Sequence, residues 1–168
     1  MPREFDFGWV FGYYIVIGVV AAGISLFWTM VFGPSAFERL LMEQGQTSNP
    51  IVDFLLSPLV VTVALFIITG IVHLFLMMFG GNKYGFGTSL RVFCFSIGPT
   101  LFEIVPFLGG AAGGIWSIVI TVIGLREAHE TSTGRAVAAV LVPVFFLILL
   151  IGLLVMLGLL LGASQLRV

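Results

Sequence analysis

An all-α bundle of five membrane-spanning helices is the fold this chain predicts, and three observations predict it. The chain is 60% hydrophobic and 9% charged, against about 25% charged residues in an ordinary soluble domain. Its apolar residues gather in five long stretches, at 9–32, 54–79, 88–107, 109–125 and 137–162. Short polar breaks separate them. A crossing helix needs about 20 apolar residues, because the hydrocarbon core is about 30 Å thick and each helical residue rises about 1.5 Å. One domain accounts for all 168 residues, with little polar surface left for a soluble part.

Residues 2–8 (PREFDFG) form a short polar lead-in. Segment 9–32 carries no charge. It exceeds the apolar core of a signal peptide and no small-x-small cleavage site follows it, so it is expected to be a retained helix. Beyond Gly33-Pro34, Ser35 and Glu38 have capping-box spacing, while Phe37, Leu40 and Leu41 share one face. A short amphipathic helix at the outer interface is expected there. The sequence GQTSNP (45–50) is a flexible break. Asp53 opens the second span, and Pro58 falls in its first turns, where a missing N–H costs least.

The break at 80–88, GGNKYGFGT, excludes a continuous helix through its four glycines. Segment 88–107 contains Gly98-Pro99, which predicts a kink. A tight turn at PFLGG (106–110) makes the third and fourth spans a helical hairpin. If that hairpin were re-entrant, the breaks on either side of it would still share one face of the membrane. REAHETSTGRA (126–136) is the most polar stretch in the chain. The fifth span has Pro143 near its start and no polar side chain from 144 to 161, so it is expected to face lipid.

Lysine and arginine near the helix ends set membrane orientation, and acidic residues count for little. With five spans, Arg3, Lys83, Arg91, Arg126 and Arg135 share one side, against Arg39 and Arg167 on the other. The N-terminus is therefore expected in the cytoplasm. The net charge of -1 and the lack of a basic run give no support to nucleic-acid binding. Cys94 is the sole cysteine, so no intrachain disulfide or cysteine metal site forms.

The fourth span carries small residues on one face: Gly110, Gly114, Ser117, Thr121 and Gly124. Gly109 and Gly113 add a second small-xxx-small pair. Such residues let backbones approach closely in lipid. Packing within the chain is the expected use, and a homodimer face is the alternative.

Ionisable residues inside spans are costly and mark candidate sites. Glu103 is expected toward the outer end of the third span, on a polar stripe with Ser89, Ser96 and Thr100. His73 is expected in the inner half of the second span, in line with Thr62 and Thr69. Arg91 is within snorkelling reach of the inner interface. Glu103 and His73 are candidates for a proton or cation path, weighed against simple packing roles. Asp53 and Glu103 could meet at the outer face and hold a divalent cation, although their spacing fixes no distance.

Glu127, His129 and Glu130 lack HExxH spacing and are expected in a solvated loop that binds a partner. The glycine-rich 80–88 break lacks the GK[ST] ending of a phosphate loop. GxSxG is missing too, so no catalytic residue, cofactor or metal is expected. The candidate partner-binding residues are Lys83, Arg91, Arg126, Glu127, His129 and Arg135.

Three stretches resemble the Yip1 family of integral membrane proteins, in its prokaryotic branch. They are GIVHLFLMMFGGNKYGFGTSLRVF (70–93), GPTLFEIVPFLGGAAGGIW (98–116) and VIGLREAHETSTGRAVAAVLVPV (122–144). The first 70 residues fit by hydropathy and by one long outer loop. On these stretches His73, Gly80, Gly81, Arg91, Pro99, Pro106 and Gly109 match the family pattern, as do Gly114, Trp116, Gly124, Glu127, His129 and Arg135. None of these is a catalytic residue by that match.

The resemblance implies five spans with a cytoplasmic N-terminus, in agreement with the charge count. Many relatives carry a longer N-terminal segment than the roughly eight residues present here, so partner binding through such a segment is not carried over. The eukaryotic branch implies membrane organisation and binding of small GTPases, and that partner is not carried over either.

Two functions are expected from these readings. The first is a non-enzymatic scaffold or adaptor in a prokaryotic cytoplasmic membrane, binding a protein partner or organising lipid through its cytoplasmic loops. The second is a small oligomeric channel or transporter using Glu103 and His73. An accessory subunit of a larger membrane complex is a third possibility.

Overall fold

The computed structural model describes residues 7–33, 39 and 49–165. The expected amphipathic helix after the first span, and the polar lead-in at 2–6, lie outside them. Five α-helices and one 3-10 helix make up the described residues, which contain no strand. The helices are α1 (Phe7–Phe32), α2 (Pro50–Met78), α3 (Phe86–Phe95), α4 (Gly109–Ala128) and α5 (Thr133–Gln165). The 3-10 helix covers Gly98–Ile104. Four of the helices (α1, α2, α4 and α5) are long and apolar enough to cross a membrane. Their surfaces are mostly exposed apolar side chains, which a bilayer solvates and water does not. The chain is an integral membrane protein on that ground.

The ends of α2 and α5 follow from local chemistry. Asn49 caps α2, its Oδ1 accepting the Ile51 N–H at 3.1 Å, and Pro50 follows where no N–H is needed. The helix therefore starts before Asp53, earlier than the apolar pattern implies. Pro58 sits inside it, and the Thr62 hydroxyl donates to the Pro58 carbonyl at 2.6 Å. Ser132 caps α5, its Oγ accepting the Arg135 N–H at 3.4 Å and its carbonyl the Ala136 N–H at 3.1 Å.

The third apolar segment is not one helix. α3 ends at Phe95, and after a bend the chain continues as the 3-10 helix from Gly98. Pro99 has no N–H to donate back into α3, so the expected kink becomes a break. The 3-10 helix then packs against α4. A Cβ on Gly109 would collide with the Phe102 carbonyl oxygen, and one on Gly113 with that of Pro99. Only glycine permits this approach. The turn between them holds Phe107 at a φ of 68°, closed by Gly109 N–H to Val105 O at 2.9 Å.

Of the small-residue face expected to pack, Gly110 and Gly114 meet open space. Thr121 is buried, and a Cβ on Gly124 would come within 2.7 Å of Val92 Cγ1. The glycines that pack tightest are thus Gly109 and Gly113, one position earlier on the helix.

Two apolar clusters hold the bundle. One joins Val72 and Leu76 of α2 to Leu125 of α4 and Ala136, Ala139 and Val140 of α5. The other joins Val10 and Tyr14 of α1, Leu65 of α2, and Leu90 and Cys94 of α3. Cys94 is wholly buried, the packing role its position implies.

Candidate functional site

The C-terminal ends of α2 and α4 lie side by side and are built alike. α2 ends in a Schellman motif. Gly80 N–H meets Met77 O at 3.0 Å and Gly81 N–H meets Leu76 O at 2.8 Å, with Gly80 at a φ of 66°. α4 ends in the same motif. Glu130 N–H meets Glu127 O at 3.3 Å and Thr131 N–H meets Arg126 O at 2.9 Å, with Glu130 at a φ of 49°.

Glycine adopts that left-handed backbone freely and glutamate does not. The Glu130 side chain is used in return: its carboxylate pairs with Lys83 Nζ and accepts the Tyr84 hydroxyl at 2.7 Å. The hydrogen bond to Glu130 raises the Lys83 ammonium above its ordinary pKa, and the hydrogen bond from Lys83 lowers the Glu130 carboxyl. Both groups are exposed, so salt screens the pair.

His129 is the last residue of this helix end and turns inward, 1% exposed. Its Nδ1 accepts the backbone N–H of Lys83 at 3.3 Å and of Tyr84 at 3.4 Å. An accepting Nδ1 places the proton of the neutral imidazole on Nε2. That Nε2 lies 2.9 Å from Ser89 Oγ. With its oxygen accepting from His129, the Ser89 hydroxyl donates to His73 Nδ1, 2.8 Å away. The result is one directed chain of hydrogen bonds, from the 80–88 backbone through His129 and Ser89 to His73. Phe86 sets its edge against the His73 ring, centroids 5.5 Å apart. Burial lowers the His129 pKa, and the nearby His73 adds to the effect.

A serine between two imidazoles resembles an activated nucleophile. Ser89, however, is 0% exposed among packed helices. No substrate reaches its oxygen in this arrangement, and its hydrogen bonds instead tie α2, α3 and the end of α4 together.

Lys83, Arg126, Glu127, His129 and Arg135 all gather at this end of the bundle. Arg126 pairs with Glu127 on the surface, and Arg135 Nη1 donates to the Gly80 carbonyl at 3.2 Å. Asn82 Oδ1 accepts the Gly85 N–H at 3.0 Å, shaping the 80–88 loop. Arg91 lies half-buried on α3.

Two sequence expectations are corrected. His129 is not in a solvated loop; it is the buried hub of the two loops. Glu103 does not share a helical stripe with Ser89, because α3 ends at Phe95 and Glu103 stands on the separate 3-10 helix. His73 bonds Ser89 of the neighbouring α3, while the Thr62 hydroxyl bonds its own helix and Thr69 Oγ1 is buried without a hydrogen-bond partner.

Glu103 lies at the opposite end, where its backbone carbonyl accepts Trp28 Nε1 at 3.0 Å. Its side chain lines a cavity of about 380 Å³ with Trp28, Thr29 and Pro106. Asp53 lines a neighbouring cavity of about 190 Å³, and Ser25 and Thr29 border both. Among the described residues, no three His, Cys, Asp or Glu side chains gather as metal ligands would. A path joining Glu103 to His73 is not formed by contact between them.

Sequence reasoning missed Ser89 as the link between the histidines, and it missed Tyr84. A serine near the start of the largely apolar segment 88–107 was the available signal for Ser89. No linear spacing pairs residue 89 with residue 129.

These features define a polytopic helical membrane protein whose 80–88 and 126–136 loops are joined by a buried histidine. A family model described as the Yip1 domain matches residues 1–156, and the chain belongs to the Yip1 family. No curated protein and no solved structure matches it.

Proposed function

We propose that the protein is a non-enzymatic membrane scaffold or adaptor that presents the 80–88 and 126–136 loops to a protein partner. The observation that carries this reading is the joining of the two loops into one surface by His129, Glu130 and Arg135. A preformed surface loses little conformational entropy on binding. Its exposed side chains, Lys83, Tyr84, Glu127 and Glu130, offer both charges and an aromatic ring.

The proposal includes five crossings with both loops and the N-terminus in the cytoplasm. The lysine and arginine bias supports that orientation. α3 rises about 15 Å over its length and the 3-10 helix about 14 Å, together near the thickness of a hydrocarbon core. A prokaryotic cytoplasmic membrane is the proposed location, by the family branch that the sequence resembles.

The test is native mass spectrometry of tagged protein extracted gently from its own membrane. A stoichiometric foreign protein supports the scaffold. The double swap Arg126→Glu with Glu127→Arg keeps the surface ion pair while reversing its polarity, so it should retain the fold and lose that protein. Undiminished capture by the swapped variant would remove the 126–136 loop from the interface. A pure homo-oligomer would overturn the adaptor reading.

A further inference from the structure

The end of the bundle opposite the joined loops holds a second polar site. Trp28 Nε1 donates to the Glu103 backbone carbonyl at 3.0 Å, which pins the end of α1 against the 3-10 helix. Ser25 and Thr29 stand one turn apart on the same face of α1, the Thr29 hydroxyl donating to the Ser25 carbonyl at 3.0 Å. Both line the cavity of about 380 Å³ that Glu103 also lines. Ser25 is exposed, and Thr29 and Glu103 are half-buried, so all three are open to a ligand. Trp28 stacks on Phe32, centroids 5.2 Å apart, and Phe32 meets Phe107 at 5.5 Å, which gives the cavity an aromatic wall. Gly110 lines it too, and a Cβ there would meet nothing within 4 Å, so the space beside it is open.

Among the described residues lining this cavity, Glu103 is the one ionisable group, and none is a lysine or arginine. A carboxylate set among apolar side chains at the edge of a membrane calls for a cation. A divalent metal is a poor match, since calcium takes about six to eight oxygens and the cavity offers one carboxylate. A primary ammonium fits better. It carries three N–H donors, and three acceptors line the cavity: the Glu103 carboxylate, the Ser25 hydroxyl oxygen and the Thr29 hydroxyl oxygen, whose proton is already used. Its charge is also drawn to aromatic rings within about 6 Å. The rim supplies the opposite sign. The Arg39 guanidinium stands 3.9 Å from the point a Cβ on Gly33 would occupy, and Gly33 lines the cavity. Arginine suits phosphate, and its five N–H donors serve more than one partner. Phe32 and Phe107, 53% and 87% exposed, give the same site an apolar flank.

We propose that this end of the bundle binds the head of a zwitterionic phospholipid carrying a primary ammonium, a phosphatidylethanolamine in chemical class. The ammonium sits on Glu103, Ser25 and Thr29 beside the aromatic wall. The phosphate faces Arg39, and the acyl chains lie along Phe32 and Phe107. A soluble amine would satisfy Glu103 but leave the guanidinium and the apolar flank unused. A choline head would bring the charge without N–H donors for the three acceptors, and a glycerol head would bring no positive charge. The site therefore discriminates by head chemistry, and that is what the experiment reads.

The full chain in detergent is titrated with dioleoylphosphatidylethanolamine, and separately with the choline and glycerol lipids of the same acyl chains, and each complex is counted by native mass spectrometry. The ethanolamine lipid is expected to bind about tenfold more tightly than the other two, equivalent to about 1.4 kcal/mol. Glu103→Gln keeps the side chain's shape, removes its charge and should erase that preference. Asp53→Asn, which changes the neighbouring cavity, should retain it. Gly110→Leu grows into the open space and should weaken binding of the ethanolamine lipid several-fold.

Glu103→Gln, isosteric at a half-buried position, keeps the proposal testable if Gly110→Leu fails to fold. Equal binding of the three lipids by the wild type would overturn the site. So would a preference unchanged in Glu103→Gln, or one lost equally in Asp53→Asn. Displacement of the bound lipid by free ethanolamine at the same concentration would overturn the lipid as occupant and assign the cavity to a soluble amine.

Discussion

Ser89 Oγ and His129 Nε2 lie 2.9 Å apart across 40 residues of chain. This contact closes the hydrogen-bond chain that runs from the Lys83 and Tyr84 backbone to His73. Each member has one role only: His129 accepts at Nδ1 and donates at Nε2, and Ser89 relays. Ser89 is the link between the two rings, so its loss leaves both ring nitrogens without the partner they have.

Ser89→Ala should therefore be costly. It leaves the His129 Nε2–H and the His73 Nδ1 facing a methyl group inside packed helices. An unsatisfied buried polar group costs about 1–3 kcal/mol. Thermal unfolding in detergent should show a loss of that order. Thr88→Ala, one residue away, removes only a 3.2 Å hydrogen bond to the Tyr84 carbonyl and should change stability by less than about 0.5 kcal/mol. Equal effects from both would mean that the histidine link adds nothing to stability.

Acid should open the joined loops. Protonating His129 puts a hydrogen on Nδ1, where it faces the N–H groups of Lys83 and Tyr84. The groups around it are His73 from α2, Ser89 from α3, Lys83 and Tyr84 from the 80–88 loop, and Glu130 beside it. The native pKa of His129 lies below the ordinary 6.5, so the opened state binds more protons in the window below that value. The slope of stability with pH is then positive, and the closed arrangement is fully favoured above about 6.5 and lost as pH falls beneath it. Hydrogen exchange at the Lys83 and Tyr84 amides should speed up on acidification through that window. His129→Gln should flatten the profile. A pH-independent exchange rate in the wild type would exclude His129 as the group responsible.

The two glycine registers of α4 should behave oppositely. Gly113→Ala drives a methyl into the Pro99 carbonyl, a backbone atom that cannot rotate aside. Overpacking of this kind costs about 1–3 kcal/mol. Gly110→Ala and Gly114→Ala enter open space and should be tolerated or slightly stabilising, since alanine favours helix over glycine by about 1 kcal/mol. Melting curves of the three variants decide the matter. A fall in oligomer size in Gly114→Ala, without a fall in stability, would place that open face against a second copy.

The apolar segments were legible because their period is coarse and their length is set by the membrane. The glycine-rich 80–88 break and the bend at Gly98-Pro99 were legible because those residues forbid a continuous helix. The division of the third segment was not. Apolar content alone does not separate a ten-residue α-helix from a 3-10 helix, and the polar stripe from Ser89 to Glu103 assumed a single screw axis. His129 was misread for a related reason. It stands in the most polar stretch of the chain, and only the helix-end turn at Glu130 swings it inward. Gly109 and Gly113 differ from Gly110 and Gly114 by about 100° of helix rotation, which the sequence does not orient.

Glu130 brings these arguments together, because it occupies a left-handed position that glycine holds at the matching end of α2. Two effects oppose each other there. Glu130→Gly relieves the backbone but deletes the partner of Lys83 and Tyr84, so its melting temperature should stay close to wild type. Glu130→Val keeps a side chain, loses both partners and adds a β-branched group at positive φ, where such residues fit worst. It should melt clearly lower than either. Partner capture should fail in both variants, because the carboxylate that fixes Lys83 and Tyr84 on the surface is gone. Capture retained by Glu130→Gly would show that the backbone turn alone shapes the surface, and that the ion pair is incidental to it.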